Sequence, residues 1–125
     1  MIYVDTNIFV RMIMRDDHEA ARRAFDMVHA SPDDSLVLTE VVAHELCYVL
    51  ANNSRYNMSH YEIATSLREI LASPQFRAEK NVAAAVEMFA NHSSLDFADC
   101  LLAVKANHSR SGVMTFDRPL AAALK

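Results

Sequence analysis

Short apolar runs alternate along the chain with stretches whose apolar residues recur every three or four positions. Ile2-Tyr3-Val4 is a β-prone run, cut off by Asp5-Thr6-Asn7, which can cap a helix. Ile8, Phe9, Met12 and Ile13 then repeat at helical spacing. Asp16-Asp17 caps a second helix through Ala20, Ala24, Phe25 and Val28, which ends before Ser31-Pro32. Leu36-Val37-Leu38 reads as a second strand, and Thr39 opens a third helix whose stripe is Val42, Leu46, Val49 and Leu50. Asn52-Asn53 stops that helix. A fourth runs from Ser59 to Leu71, with Ser59-His60-Tyr61-Glu62 patterned as a capping box.

Phe76 to Glu79 is a weak strand pattern and Val82 to Phe89 a helical one. Asp96 starts a helix through Leu101, Leu102 and Val104. Val113-Met114-Thr115-Phe116 reads as a strand running straight into Asp117, and the Ala-Leu tail as a short helix. Strands alternating with amphipathic helices predict an α/β fold, a short parallel sheet flanked by helices. No repeat, low-complexity segment or domain boundary interrupts the pattern, so residues 1–125 read as one domain.

Composition agrees. The chain has 125 residues, of which 52% are hydrophobic and 22% charged, which suits a globular protein and excludes a disordered one. Twelve Lys and Arg against 16 Asp and Glu give a formal net charge of -4, which argues against coating DNA or anionic membrane through bulk charge. Cys47 and Cys100 sit in apolar runs and read as reduced core residues. The first residues lack a basic and a long apolar region, and no stretch is apolar enough to span a membrane. Together these point to a reducing cytoplasm.

The acids carry the candidate chemistry. Parallel sheets place ligands beyond the carboxyl ends of their strands, where Asp5 and Asp117 fall on this reading. Taken singly, each is explained as a helix N-cap. Glu45 lies at the edge of the third helix's apolar stripe, where a carboxylate needs a salt-bridge partner or a metal. Asp96 and Asp99, three apart, share a helix face and also read as a cap and a first-turn acid. The six histidines form no metal-binding spacing, which makes a zinc site improbable.

Gathered into one pocket, Asp5, Glu45, Asp99 and Asp117, with Asp96 at the rim, could not all stay ionised without a cation. Mg²⁺ or Mn²⁺ fits such oxygen ligands best, and could hold a phosphodiester and activate a water. A pair of ions about 4 Å apart would also stabilise the leaving oxygen.

Four segments carry a resemblance. Val4-Asp5-Thr6-Asn7, Glu45-Leu46, Leu95-Asp96-Phe97-Ala98-Asp99-Cys100-Leu101 and Thr115-Phe116-Asp117-Arg118 resemble, in order, the motifs of PIN-domain ribonucleases. They are especially similar to those of the small VapC-type toxins. The resemblance implies a metal quartet of Asp5, Glu45, Asp99 and Asp117, with Asp96 auxiliary and Asn7 and Thr115 orienting the carboxylates. It implies Mg²⁺- or Mn²⁺-dependent cleavage of RNA, a homodimer, and neutralisation by a cognate antitoxin. Many relatives end with another short strand where this sequence stops, at Leu124-Lys125, which leaves two readings open, a shorter sheet edge or a truncated chain.

Arg11, Arg15, Arg22, Arg23, Lys105, Arg110 and Arg118 are candidates for phosphate contacts, against the simpler reading of solvated helix faces. Three other functions remain. A haloacid-dehalogenase-like phosphatase also begins with a strand and Asp, but wants a second Asp where Asn7 stands. A receiver-like phosphoacceptor would need an acid on a middle strand, which Leu36–Leu38 does not supply. A non-catalytic module could use the same acidic pocket to receive a basic protein segment. Setting the five clustered acids aside leaves 11 acids against 12 Lys and Arg, so the acidity concentrates at one place.

Overall fold

The computed structural model describes residues 1–125. In chain order its elements are β1 (Ile2–Tyr3), α1 (Thr6–Met14), α2 (His18–His29), β2 (Leu36–Leu38), α3 (Glu40–Asn52) and α4 (His60–Leu71). β3 (Phe76–Ala78), α5 (Val82–Asn91), α6 (Phe97–Ser109) and α7 (Arg118–Ala122) follow. The three strands form one parallel sheet in the order β1-β2-β3. Tyr3 lies opposite Val37, and Val37 opposite Arg77. β2 is central and wholly buried, as a strand covered on both faces must be. β1 is an edge strand with both residues exposed.

Local chemistry accounts for the helix ends. Asp17, Thr39, Ser59 and Asp96 each accept a hydrogen bond from a backbone N–H of the first turn. The capping box at Ser59 is complete, because the Glu62 carboxylate reaches back to the Ser59 N–H. α4 packs on α5, α5 on α6, α1 on α2 and α3, and α3 on both α4 and α6. Their apolar faces join the strands in one continuous core containing Phe9, Leu38, Leu46, Ile63, Phe89 and Phe97, which makes this one domain. Cys47 and Cys100 are buried there as free thiols.

One expected element is missing. Val113–Phe116 is not a strand, and the sheet has three strands rather than four. The alternation behind that expectation is present, since Val113 and Thr115 are half-buried while Met114 and Phe116 are fully exposed. The segment therefore presents one face to the body without making the backbone ladder that defines a strand. Asp117 accordingly sits at the start of α7 after an irregular segment, not at a strand end. No helix is long and apolar enough to cross a membrane.

Candidate active site

Asp99 is the centre of the acidic region. It lies in the first turn of α6, and its backbone N–H donates to Asp96 Oδ1 at 2.8 Å. Burial raises the Asp99 pKa above the ordinary aspartate value, and the nearby charges of Asp96 and Asp117 raise it further. Three carboxylates from two parts of the chain therefore share one neighbourhood. The Cys100 thiol beside them is pushed up to about 12, by burial first and then by Asp99 and Asp96.

Asp117 contributes a less committed carboxylate. It occupies the N-cap position of α7 but its side chain makes no cap hydrogen bond, unlike Asp96. Thr115 Oγ1 accepts from the Asp117 backbone N–H at 2.9 Å, so Thr115 positions Asp117 through the backbone, not through its carboxylate. Arg118 beside it is exposed and in no ion pair within reach of an acid.

Asp5 and Glu45 stand apart from this trio in their contacts. Asp5 follows β1 and accepts from the Thr6 N–H at 2.8 Å, as the cap of α1. Behind it, Thr6 is the one buried polar residue, and its Oγ1 has no hydrogen-bond partner. Glu45 is exposed on α3 and makes no salt bridge, so the ion-pair explanation of this acid is not met. Asn7 is exposed and its side chain bonds to none of the acids. Of the arginines, Arg11 pairs with Asp16 at 3.3 Å, while Arg15 donates to the Met12 carbonyl and lies over the Phe25 ring.

The donors suit a hard divalent cation in kind: all are oxygens, and burial, with the charges of Asp96 and Asp117 added, leaves Asp99 reluctant to ionise. As placed, the side chains bring no three His, Cys, Asp or Glu groups round a single point. Two further acids beyond the strand ends went unnoticed in the sequence. Glu40 pairs with Lys105 at 2.8 Å, and Glu79 Oε1 accepts from the Glu40 N–H at 2.7 Å. Both acids serve the start of α3, and Lys105 is occupied with Glu40. Their signal is position, since each follows the last residue of its strand by one or two places.

The family described as PIN domain matches residues 2–123. The chain belongs to the PIN-domain family. PIN domains are typically nucleases that use divalent metal ions, so nuclease-type chemistry on nucleic acid is the general activity. Membership removes the phosphatase and receiver alternatives, and the α/β fold is the PIN arrangement of helices on a small parallel sheet. No curated protein and no solved structure matches the chain.

A cavity of about 220 Å³ in this PIN domain adjoins Asp96. It lies between α3, α4 and the turn joining α5 to α6, and Asp96 is part of its wall. His44, Tyr48 and Asn52, four apart on one face of α3, line it with His60. Sequence reasoning weighed the histidines only as metal ligands. Their spacing along separate helices carries no signal that α3 and α4 bring His44 and His60 to one cavity.

Proposed function

We propose that the chain is a Mg²⁺- or Mn²⁺-dependent endoribonuclease and the toxin of a toxin–antitoxin pair. The observation that carries this reading is the crowding of Asp99 by Asp96 and Asp117. Carboxylates held together against their own repulsion are stabilised by a cation, and PIN domains use one. Asp5, Glu45, Asp99 and Asp117 would hold it, with Asp96 at the rim. The cation supplies charge to hold a phosphodiester oxygen and lowers the pKa of a bound water.

The chain's own residues do the positioning. Asp96 holds the first turn of α6, and with it Asp99, through its cap hydrogen bond. Thr115 fixes the backbone of Asp117. Arg118, unpaired beside Asp117, would contact phosphate first, with Arg11 and Arg15 secondary because their present partners must be exchanged. Exposed Val41, Leu102, Met114 and Phe116 offer apolar surface for a second copy and for an antitoxin. Buried, unpaired Cys47 and Cys100 suit the cytoplasm, where thiols stay reduced.

A second reading has its own support. A PIN-like module that receives a basic protein segment needs no metal set, and the acids here do not close round one point. Mapping RNA 5′ ends after brief expression separates the two. The nuclease produces new 5′ ends with the wild-type chain that are absent with Asp5→Ala. Identical 5′ ends from both chains overturn the assignment.

A further inference from the structure

We infer that the cavity bounded by α3, α4 and the α5–α6 turn is a nucleobase subsite, holding the base of a nucleotide next to the scissile phosphate. This rests on the ribonuclease reading, and it extends that reading from the phosphate to the base. The connection is Asp96, which belongs both to the cavity wall and to the carboxylates that crowd Asp99. A strand whose phosphate lies at Asp96 and Asp99 therefore has this cavity beside it, on the Asp96 side.

Size and chemistry select the ligand. At about 220 Å³ the cavity is smaller than the ~300–1,000 Å³ of drug-sized sites, and it suits one ring-sized group. Its walls combine rings with hydrogen-bonding edges, the combination that single-stranded RNA recognition uses. Tyr48 presents an exposed ring, and His60 lies flat on Phe89 with centroids 3.8 Å apart. His60 Nδ1 faces the His92 carbonyl at 3.2 Å, so that nitrogen donates to it and Nε2 is left without a protein partner. Asn52 uses one amide N–H on the Tyr48 carbonyl and keeps its oxygen and second N–H.

The charge of the lining narrows it further. No Lys or Arg lines the cavity, so a phosphate or an acidic peptide finds no countercharge there. A neutral, flat, hydrogen-bonding base fits what is present.

The test is a cycle of protein variant against substrate. Wild type, Tyr48→Ala and Asn52→Ala cleave an oligoribonucleotide that is intact, or abasic on one side of the bond cut by wild type. Both side chains are exposed, so the variants keep the core unaltered. Each variant loses roughly tenfold in kcat/KM on the intact strand and nothing further on one abasic strand, as removal of a stacked base does. Equal losses on intact and abasic strands overturn the subsite.

If wild type cleaves no RNA, the ribonuclease reading fails by itself, and binding decides the subsite. A fluorescein-tagged octamer then binds wild type more tightly when intact than when abasic, with the difference lost in Asn52→Ala. Equal binding of the two octamers overturns the subsite, as does binding of a lysine-rich peptide, weakened by Asn52→Ala, with no octamer binding.

Discussion

Asp96 Oδ1 accepts the Asp99 backbone N–H at 2.8 Å, so one acid builds the helix turn that carries the other. The same proximity raises the Asp99 pKa, after burial. Structural and electrostatic roles of Asp96 are therefore separable by substitution. Asp96→Ala removes the cap of α6 and costs about 1 kcal/mol. Asp96→Asn keeps a cap acceptor and removes the charge, so its cost is less than half as large. Denaturant unfolding of the two variants measures this, and equal losses would refute the capping role.

The raised Asp99 pKa makes stability depend on pH in metal-free buffer. The unfolded chain loses this proton at the ordinary aspartate value, while the folded chain keeps it to higher pH. Between the two values the folded state binds more protons, so stability falls as pH rises through that window. Asp99→Asn removes this dependence and raises Tm at neutral pH by about 1–2 °C, the effect staying small because the group is partly solvated. Thermal melts across the acid range with EDTA present check the sign. A variant melting lower than wild type at neutral pH contradicts it.

Cys100 gives a chemical probe of the same region. It is fully buried and its thiol is pushed up to about 12, so it stays protonated and shielded at neutral pH. Iodoacetamide leaves both thiols unmodified in the native protein and labels both in denaturant. Mass spectrometry reads the outcome, and labelling of Cys100 in the native state would mean the α6 region opens.

Most of the architecture is legible in the sequence because the helices are amphipathic and end on recognisable caps. The Ser59–Glu62 capping box and the Asp96 cap form as their spacing predicts. Val113–Phe116 shows where pattern runs out. Alternation reports which side chains face the body, and it does so here, but a strand also needs a neighbour to bond. The chain leaves α6 through Arg110 in the left-handed region, with Ser111 N–H tied back to the Ala106 carbonyl, and makes no ladder afterwards. The acids follow the same division. Asp96 and Asp99 are neighbours by helix geometry, which spacing reveals, whereas the proximity of Asp99 to Asp117 depends on packing. His44 and His60 line one cavity for the same reason, and no periodicity reports it.

The exposure of Met114 and Phe116 is itself testable. Neither side chain is shielded from solvent, so Met114→Ser and Phe116→Ser each change stability by less than about 0.5 kcal/mol. Chemical denaturation of the isolated protein measures both. A loss above about 1 kcal/mol for Phe116→Ser would mean that the Phe116 ring packs against the body in solution.

The acids are expected to gain stability from a cation that binds only the folded chain. A concentration of Mn²⁺ one hundred times its dissociation constant contributes about 2.7 kcal/mol. Differential scanning calorimetry with and without Mn²⁺ shows the rise in Tm, and Asp99→Asn reduces it. An unchanged Tm at millimolar Mn²⁺ contradicts a cation site at these carboxylates.

Cleavage of a structured RNA by purified protein in Mn²⁺, wild type beside Asp99→Asn, tests the central claim most directly. Wild type yields discrete fragments, EDTA stops the reaction, and Asp99→Asn is at least roughly a hundredfold slower, as loss of a key transition-state contact dictates. Fragments produced equally by Asp99→Asn, or undiminished by EDTA, would contradict a cation-dependent nuclease site at Asp96, Asp99 and Asp117.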